Sequence, residues 1–298
     1  LDICPHRGAP LSLGKCEGSS WRCGYHGLRF DPSGRCVEVP GQSIVPSALL
    51  TRSIPLVERH GLLWVWMGAA EAADAATIPA LVWLDDPAWH WKPGYMLYEA
   101  HHLLLADNLC DFSHLAYVHP TTFGAGTSYA TEAPRLERLD DGIRVTRWIL
   151  DAEPAAFQRA AAGINGRVDR WNIYEFKAPG LLLLDTGCAP AGTGAPDGRR
   201  VNAFESRGVQ ALTPADDQRT HYFFAQLHNA TQRREQITDA SFEVLMKAFA
   251  EDKAVLERQQ QVWNSHRGFR PAPIAVDAGL AHYRRIYQAR VDIEQRAA

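Results

Sequence analysis

Two short segments near the start constrain this chain more than anything else in it: Cys4-Pro5-His6 and, after a spacer of 16 residues, Cys23-Gly24-Tyr25-His26. Two thiols and two imidazoles on loops rich in Gly and Pro form a metal site by composition. Such a set can hold a tetrahedral zinc, or a two-iron cluster with the cysteines on one iron and the histidines on the other. The delivery of one Cys and one His by each loop favours the cluster. Two such loops meeting tip to tip turn both cysteines inward and both histidines outward, whereas zinc fingers tend to bring Cys-Cys and His-His pairs. A metal loop with no strand before it is unusual at a free chain end, where fraying is the default. With Leu1 as its first residue, the chain is therefore expected to be a fragment whose N-terminal strands are missing.

A second constellation follows in Asn108-Leu-Cys-Asp111-Phe-Ser-His114-Leu-Ala-Tyr-Val-His119. On a regular helix, residues five apart point about 140° away from each other, at ~100° per residue. His114 and His119 face one metal only if the helix is distorted, and Pro120 marks its end. A 2-His-1-carboxylate site needs one more acid. Phe242, Leu245, Phe249, Asp252 and Leu256 follow 3-4-3-4 spacing, so Asp252 falls on an apolar helical stripe. A carboxylate there is costly unless it is paired or coordinated. Glu251 and Lys253 fall off the stripe and read as solvated. A buried salt bridge to an arginine is the competing reading of Asp252.

The 298 residues and net charge of −3 give room for two domains and offer no basic stripe for nucleic acid. No apolar run reaches the length of a membrane span. The six cysteines are too scattered for a disulfide scaffold, which points to a reducing, cytoplasmic setting. Residues 1–68 read as a small all-β module closing on the apolar run 61–68, taken as a buried strand; 69–80 reads as a linker; 81–298 forms a second domain. In that domain the patterns predict a helix over about 101–118 and strands at 143–150, 170–177, 180–187, 200–207 and 220–227. A loop is expected at 189–200, with closing helices at 239–263 and 278–295. The expected fold class is α+β: a small all-β iron-sulfur domain, then an antiparallel sheet with C-terminal helices in a helix-grip, START-like arrangement.

The segments Cys4-Pro-His-Arg-Gly-Ala-Pro10 and Cys23-Gly-Tyr-His-Gly27 resemble the Rieske loops of aromatic-ring oxygenases. The resemblance implies a [2Fe-2S] Rieske cluster with Cys4 and Cys23 on one iron and His6 and His26 on the other. Neither loop has the extra Cys of respiratory Rieske proteins, so Cys16 and Cys36 are read as ordinary buried thiols. Segments 108–119, 251–253 and 52–68 are similar to the vanillate O-demethylase and dicamba monooxygenase branch. That likeness runs from the first residue to the last helix. It implies mononuclear Fe(II) on His114, His119 and Asp252, with Asp111 accepting a hydrogen bond from a Rieske histidine and Asn108 a polar neighbour. It also implies a homotrimer in which the productive pair of centres forms across subunits, because those within one chain are too far apart.

The resemblance further implies an NAD(P)H-dependent flavin and iron-sulfur reductase as partner, O2 as co-substrate and a small aromatic acid as substrate. The preferred activity is O-demethylation of a methoxylated, vanillate-like acid. Ring or methyl hydroxylation is the alternative, and a ferredoxin-like electron carrier or a zinc-stabilised binding protein is the reading from outside enzymes. For substrate contact the sequence offers Asn202, His221, His228 and Asn229, each of which could equally be a plain surface or core polar residue.

Overall fold

A computed structural model of the chain describes residues 1–123, 133–154, 158–159, 164 and 166–297. It divides into two compact units, Leu1–Asp85 and Asp86–Ala298. The division falls after the expected linker 69–80, which carries short 3-10 turns at Ala70–Ala72 and Ala75–Thr77.

In the first unit, β1 (Lys15–Glu17), β2 (Ser20–Arg22), β3 (Arg29–Phe30) and β4 (Cys36–Glu38) form an antiparallel meander. Its core is small: Cys4, Leu11, Cys23, Leu28, Phe30 and Cys36. Beside it, Arg22 pairs with Glu17 and Glu38, and Arg29 pairs with Glu38. Strands β5 (Leu56–Arg59) and β6 (Leu62–Val65) make a hairpin. Its two-residue turn is His60-Gly61, both at positive φ, the geometry that matches strand twist. The apolar run 61–68 is not the buried strand its composition suggests. Within this two-stranded sheet Leu62 and Trp64 are half-buried, while Leu63, Val65 and Met67 are exposed. Cys16 is also exposed rather than buried, whereas Cys36 is buried.

The second unit is a seven-stranded antiparallel sheet. Its strands are β7 (His90–Tyr98), β8 (Arg135–Arg138), β9 (Gly142–Ala152), β10 (Val168–Lys177), β11 (Leu181–Pro190), β12 (Phe204–Pro214) and β13 (Thr220–His228), in the order β7-β13-β12-β11-β10-β9-β8. Among the described residues its longer helical elements are α1 (His102–Cys110), α2 (Leu115–Val118), α3 (Arg234–Ser265) and α4 (Ala278–Ala297). Two strands escape the sequence reading. β7 contains Pro93 and Gly94, which read as breakers, and β8 has only four residues. Strand β12 starts at Phe204 rather than 200, because Asn202 is left-handed (φ 53°). No helix among the described residues is long and apolar enough to cross a membrane.

One face of the sheet has two halves, fixed by register. Toward one edge of the pleat Ile143, Phe176, Leu182 and Phe224 share a register row that spans five strands, with Gln210 of β12 between Leu182 and Phe224. With Tyr98, Leu212 and Tyr222 they pack against Leu104, Leu105 and Leu109 of α1, Leu245, Phe249 and Leu256 of α3, and Tyr283 of α4. Two rows further along the same face, Arg147, Asn172, Thr186 and Ser206 are in register, and that row is polar. The apolar half clamps the helices, while the polar half is left to line a cavity.

Candidate active site and metal centres

The two N-terminal loops are built alike. The N–H of Cys4 donates to Ala9 and the carbonyl of Cys4 accepts from Gly8; Cys23 repeats this with Leu28 and Gly27. Gly8 (φ 70°) and Gly27 (φ 72°) close the two turns in the left-handed region, where a side chain is strained. The result is two buried thiols, Cys4 and Cys23, each 2% exposed, behind two exposed imidazoles. The rings of His6 and His26 lie side by side, centroids 4.7 Å apart. Burial raises the Cys4 pKa, the backbone N–H of His6 opposes this, and the neighbouring Cys23 thiol adds to it. Donors of a single tetrahedral zinc must converge on one point. Among the described residues, the only group of three or more His, Cys, Asp and Glu donors that converges within 4.8 Å is a different set, His114, His119 and Asp252. Thiols inside, imidazoles outside and no common point suit a two-iron cluster better than zinc.

The expected helix over 101–118 is broken, and the break makes the second site. Helix α1 stops at Cys110, whose carbonyl accepts from the buried Tyr174 hydroxyl on β10 at 3.1 Å. Phe112 stacks on the same ring at 4.2 Å. Asp111 is extended (φ −138°) and caps the next turn, its carboxylate accepting from the Ser113 N–H at 2.8 Å and from the Ser113 hydroxyl. His114 then sits in a 3-10 turn and His119 just past α2, out of helical geometry (φ −116°). Both rings thereby reach the same spot.

The third donor comes from α3, whose buried residues include Leu245, Phe249, Asp252 and Leu256, the predicted stripe. Asp252 is 6% exposed. Its Oδ1 lies 3.0 Å from His119 Nε2 and 3.5 Å from His114 Nε2, and accepts from Asn108 Nδ2 at 3.1 Å. No arginine or lysine among the described residues pairs with it, so the salt-bridge reading falls away.

The far nitrogens are fixed too. His114 Nδ1–H donates to the Asp111 carbonyl at 2.7 Å, which leaves the Nε2 lone pair for a ligand role. His119 Nδ1 lies 2.9 Å from Glu251 Oε2, an oxygen that also accepts from Thr122. Glu251 is therefore not solvated as its place off the stripe suggested; it backs the buried imidazole. Burial lowers the pKa of His114, partly opposed by Asp252. Burial acts the same way on His119, but bonds to Asp252 and Glu251 outweigh it and raise the pKa. Between two carboxylates, His119 needs a proton on each nitrogen, or a proton on Nδ1 and a metal at Nε2. A carboxylate behind the far nitrogen of a His is a recurring support for metal-bound imidazole. The donor set fits a 2-His-1-carboxylate iron with open positions.

The three donors open on a cavity of about 280 Å³. Its apolar walls include Leu109, Leu184, Val244 and Leu245, and its polar wall is the sheet half bearing Arg170, Asn172, Thr186, Ser206, Gln210 and Gln226. The four residues suggested for substrate contact lie elsewhere. Asn202 is exposed in a turn, and His221 pairs with the Tyr95 hydroxyl at 2.9 Å. His228 is held by Thr238 and the Ala230 N–H, and the Asn229 side chain accepts from the Glu205 N–H. Strand alternation alone could have put Asn172, Thr186 and Ser206 on one face, but which face meets the cavity depends on register.

Comparison with known proteins agrees with both centres. Residues 1–49 match the Rieske [2Fe-2S] domain, and residues 98–292 match the vanillate O-demethylase oxygenase C-terminal domain. The iron-sulfur subunit of a toluene-4-sulfonate monooxygenase system from Comamonas testosteroni is 42% identical, over 93% of this chain and 81% of its own length. A vanillate O-demethylase oxygenase subunit from a Pseudomonas species is 36% identical, over 99% and 91%. A crystal structure of dicamba monooxygenase bound to 3,6-dichlorosalicylic acid superposes with a TM-score of 0.87 at 31% identity, covering 99% of this chain and 86% of that one. With its first unit a Rieske [2Fe-2S] domain and its second a vanillate O-demethylase-type catalytic domain, the chain belongs to the Rieske non-haem iron oxygenases, a family of oxidoreductases.

Proposed function

We propose that the chain is the oxygenase component of a multicomponent monooxygenase that demethylates a methoxylated aromatic acid of the vanillate kind. The observation that carries this reading is the convergence of His114, His119 and Asp252 at the wall of a pocket. In this reading Cys4 and Cys23 hold one iron of the cluster, His6 and His26 hold the other, and the triad holds a mononuclear Fe(II). When bound, the cluster supplies electrons one at a time and the mononuclear iron supplies O2 activation.

The chain's own residues do the positioning. Asn108 and Glu251 fix the orientation of Asp252 and His119. Leu109, Leu184 and Leu245 exclude water beside the reacting carbon. The overall change inserts one oxygen atom of O2 into a methoxy C–H bond. The hemiacetal collapses to a phenol and formaldehyde, and the second oxygen leaves as water. This consumes two electrons, which a flavin and iron-sulfur reductase draws from NAD(P)H, and two protons, one from NAD(P)H and one from solvent. In this reading Asp111, whose carbonyl holds His114 Nδ1, receives a Rieske histidine from a neighbouring copy in a homotrimer. An electron carrier would have no use for the second donor set.

Hydroxylation of a ring methyl group on an aromatic sulfonate is a second reading, favoured by the 42% identity to the toluene-4-sulfonate system subunit. The test supplies the holoenzyme with a compatible reductase, NADH and a panel of methoxybenzoates and methylbenzenesulfonates. Formaldehyde release from the former supports demethylation, and benzylic alcohols from the latter support the second reading. Consumption of neither set overturns both.

A further inference from the structure

We propose that Arg170 anchors the oxyanion of the substrate, a ring-borne carboxylate or sulfonate, at the sheet side of the cavity. This rests on the reading of the cavity as the substrate site. The guanidinium of Arg170 is the anomaly that prompts it. Its Nε is buried without a hydrogen-bond partner, and no carboxylate among the described residues pairs with it. Other arginines of this unit are matched: Arg144 by Glu175, Arg200 and Arg207 by Asp185 and Glu205, Arg284 by Asp107. A buried cationic N–H left without an acceptor is costly, and a ligand oxyanion offsets that cost.

The surroundings favour an anion over any other ligand. Arg170 faces Ile149 on β9 and Cys188 on β11 in register, and the next row of the same face is Arg147, Asn172, Thr186 and Ser206. None of these is acidic. Asp252 is the one carboxylate among the described residues lining the cavity, and it is committed to the triad. The first turn of the 32-residue α3 also lines the cavity through Gln236 and Ile237, next to Arg233. A helix N-terminus adds partial positive charge at that end. The cavity is thus electropositive along the sheet and the start of α3, apolar between, and carries the triad on α3 and the α1–α2 segment. An arene with an anionic group at one end and a methyl or methoxy carbon at the other matches that layout.

The test is calorimetric binding of 4-methylbenzenesulfonate, 4-methylbenzoate and the uncharged 4-methylbenzenesulfonamide to the holoenzyme, wild type, Arg170→Gln and Arg170→Lys. Iron content and cluster absorbance, unchanged in both variants, show that they fold. The expected result is a loss of affinity for the anions on the order of 10- to 100-fold in Arg170→Gln, a smaller loss in Arg170→Lys, and little change for the sulfonamide. Whichever anion binds the wild type more tightly identifies the source of the oxyanion. Anion affinities within twofold of wild type in Arg170→Gln overturn the proposal, as does equal loss for the sulfonamide. Failure of the proposed function reads differently: no product forms from any arene, whatever binds.

Discussion

Glu251 is the residue whose role the structure changes most, and removing its carboxylate tests the proposed iron site directly. His119 is fully buried, so its Nδ1–H has no water to turn to if Glu251 Oε2, 2.9 Å away, is lost. In Glu251→Ala the orphaned N–H costs about 1.5–3 kcal/mol. At ~1.4 kcal/mol per tenfold, that is roughly 10- to 100-fold in Fe(II) affinity, the range found when support behind a metal-bound His is removed. Glu251→Gln keeps an acceptor and the Thr122 contact but loses the charge. Neutral bonds are about half as strong as charge-assisted ones, so its loss should be smaller, roughly fivefold. The assay is Fe(II) competition against a chelator with metal analysis, using the absorbance of the Rieske cluster as an internal control that the fold is intact. Iron affinity in Glu251→Ala within twofold of wild type would refute the reasoning, because it would mean that His119 is oriented by something other than Glu251.

Other consequences are as concrete. His114→Ala should abolish mononuclear iron binding and turnover while leaving the cluster spectrum intact; loss of the cluster would count against two independent centres. Gly94→Ala places a Cβ 1.9 Å from the ring of Phe224, its cross-strand partner in the core. Chemical denaturation should show about 1–3 kcal/mol of destabilisation, and a change under ~0.5 kcal/mol would show that the ring has room to move. Burial, with His101 and Arg284 adding for His102 and His90 for His228, depresses the pKa of both His102 and His228 to about 4. Their unfolded values lie near 6.5, so the unfolded chain binds protons first as pH falls. The stability these neutral histidines contribute is complete above pH ~6.5 and is lost toward pH ~4, on the order of 1–3 kcal/mol each. Thermal melting of the holoenzyme between pH 7 and 5 should show the fall, and a flat melting temperature would contradict it.

The sequence by itself determined the candidate donors. Cys4, His6, Cys23 and His26 are legible because a metal loop is local: ligand, turn and glycine lie within a few residues of one another. Asp252 is legible because helical period alone puts it on the buried stripe, where an acid needs a reason. Five of the seven strands of the second unit were also within reach of pattern, since alternation is a local signal. The convergence of His114 and His119 was not, because it depends on where α1 stops, and Tyr174, on a strand 64 residues further along, holds the Cys110 carbonyl. The support from Glu251 was hidden for the same reason: a residue just off the stripe looks solvated until His119 and Thr122 arrive from another segment. Only the tertiary structure could choose the cavity wall. Alternation divides the residues of each strand between two faces, but the register among β9, β10, β11 and β12 decides that Asn172, Thr186 and Ser206 share a row. Register is set by long-range pairing, so it puts Asn172, Thr186 and Ser206, rather than Asn202, His221, His228 and Asn229, on the cavity wall, one row from Arg170.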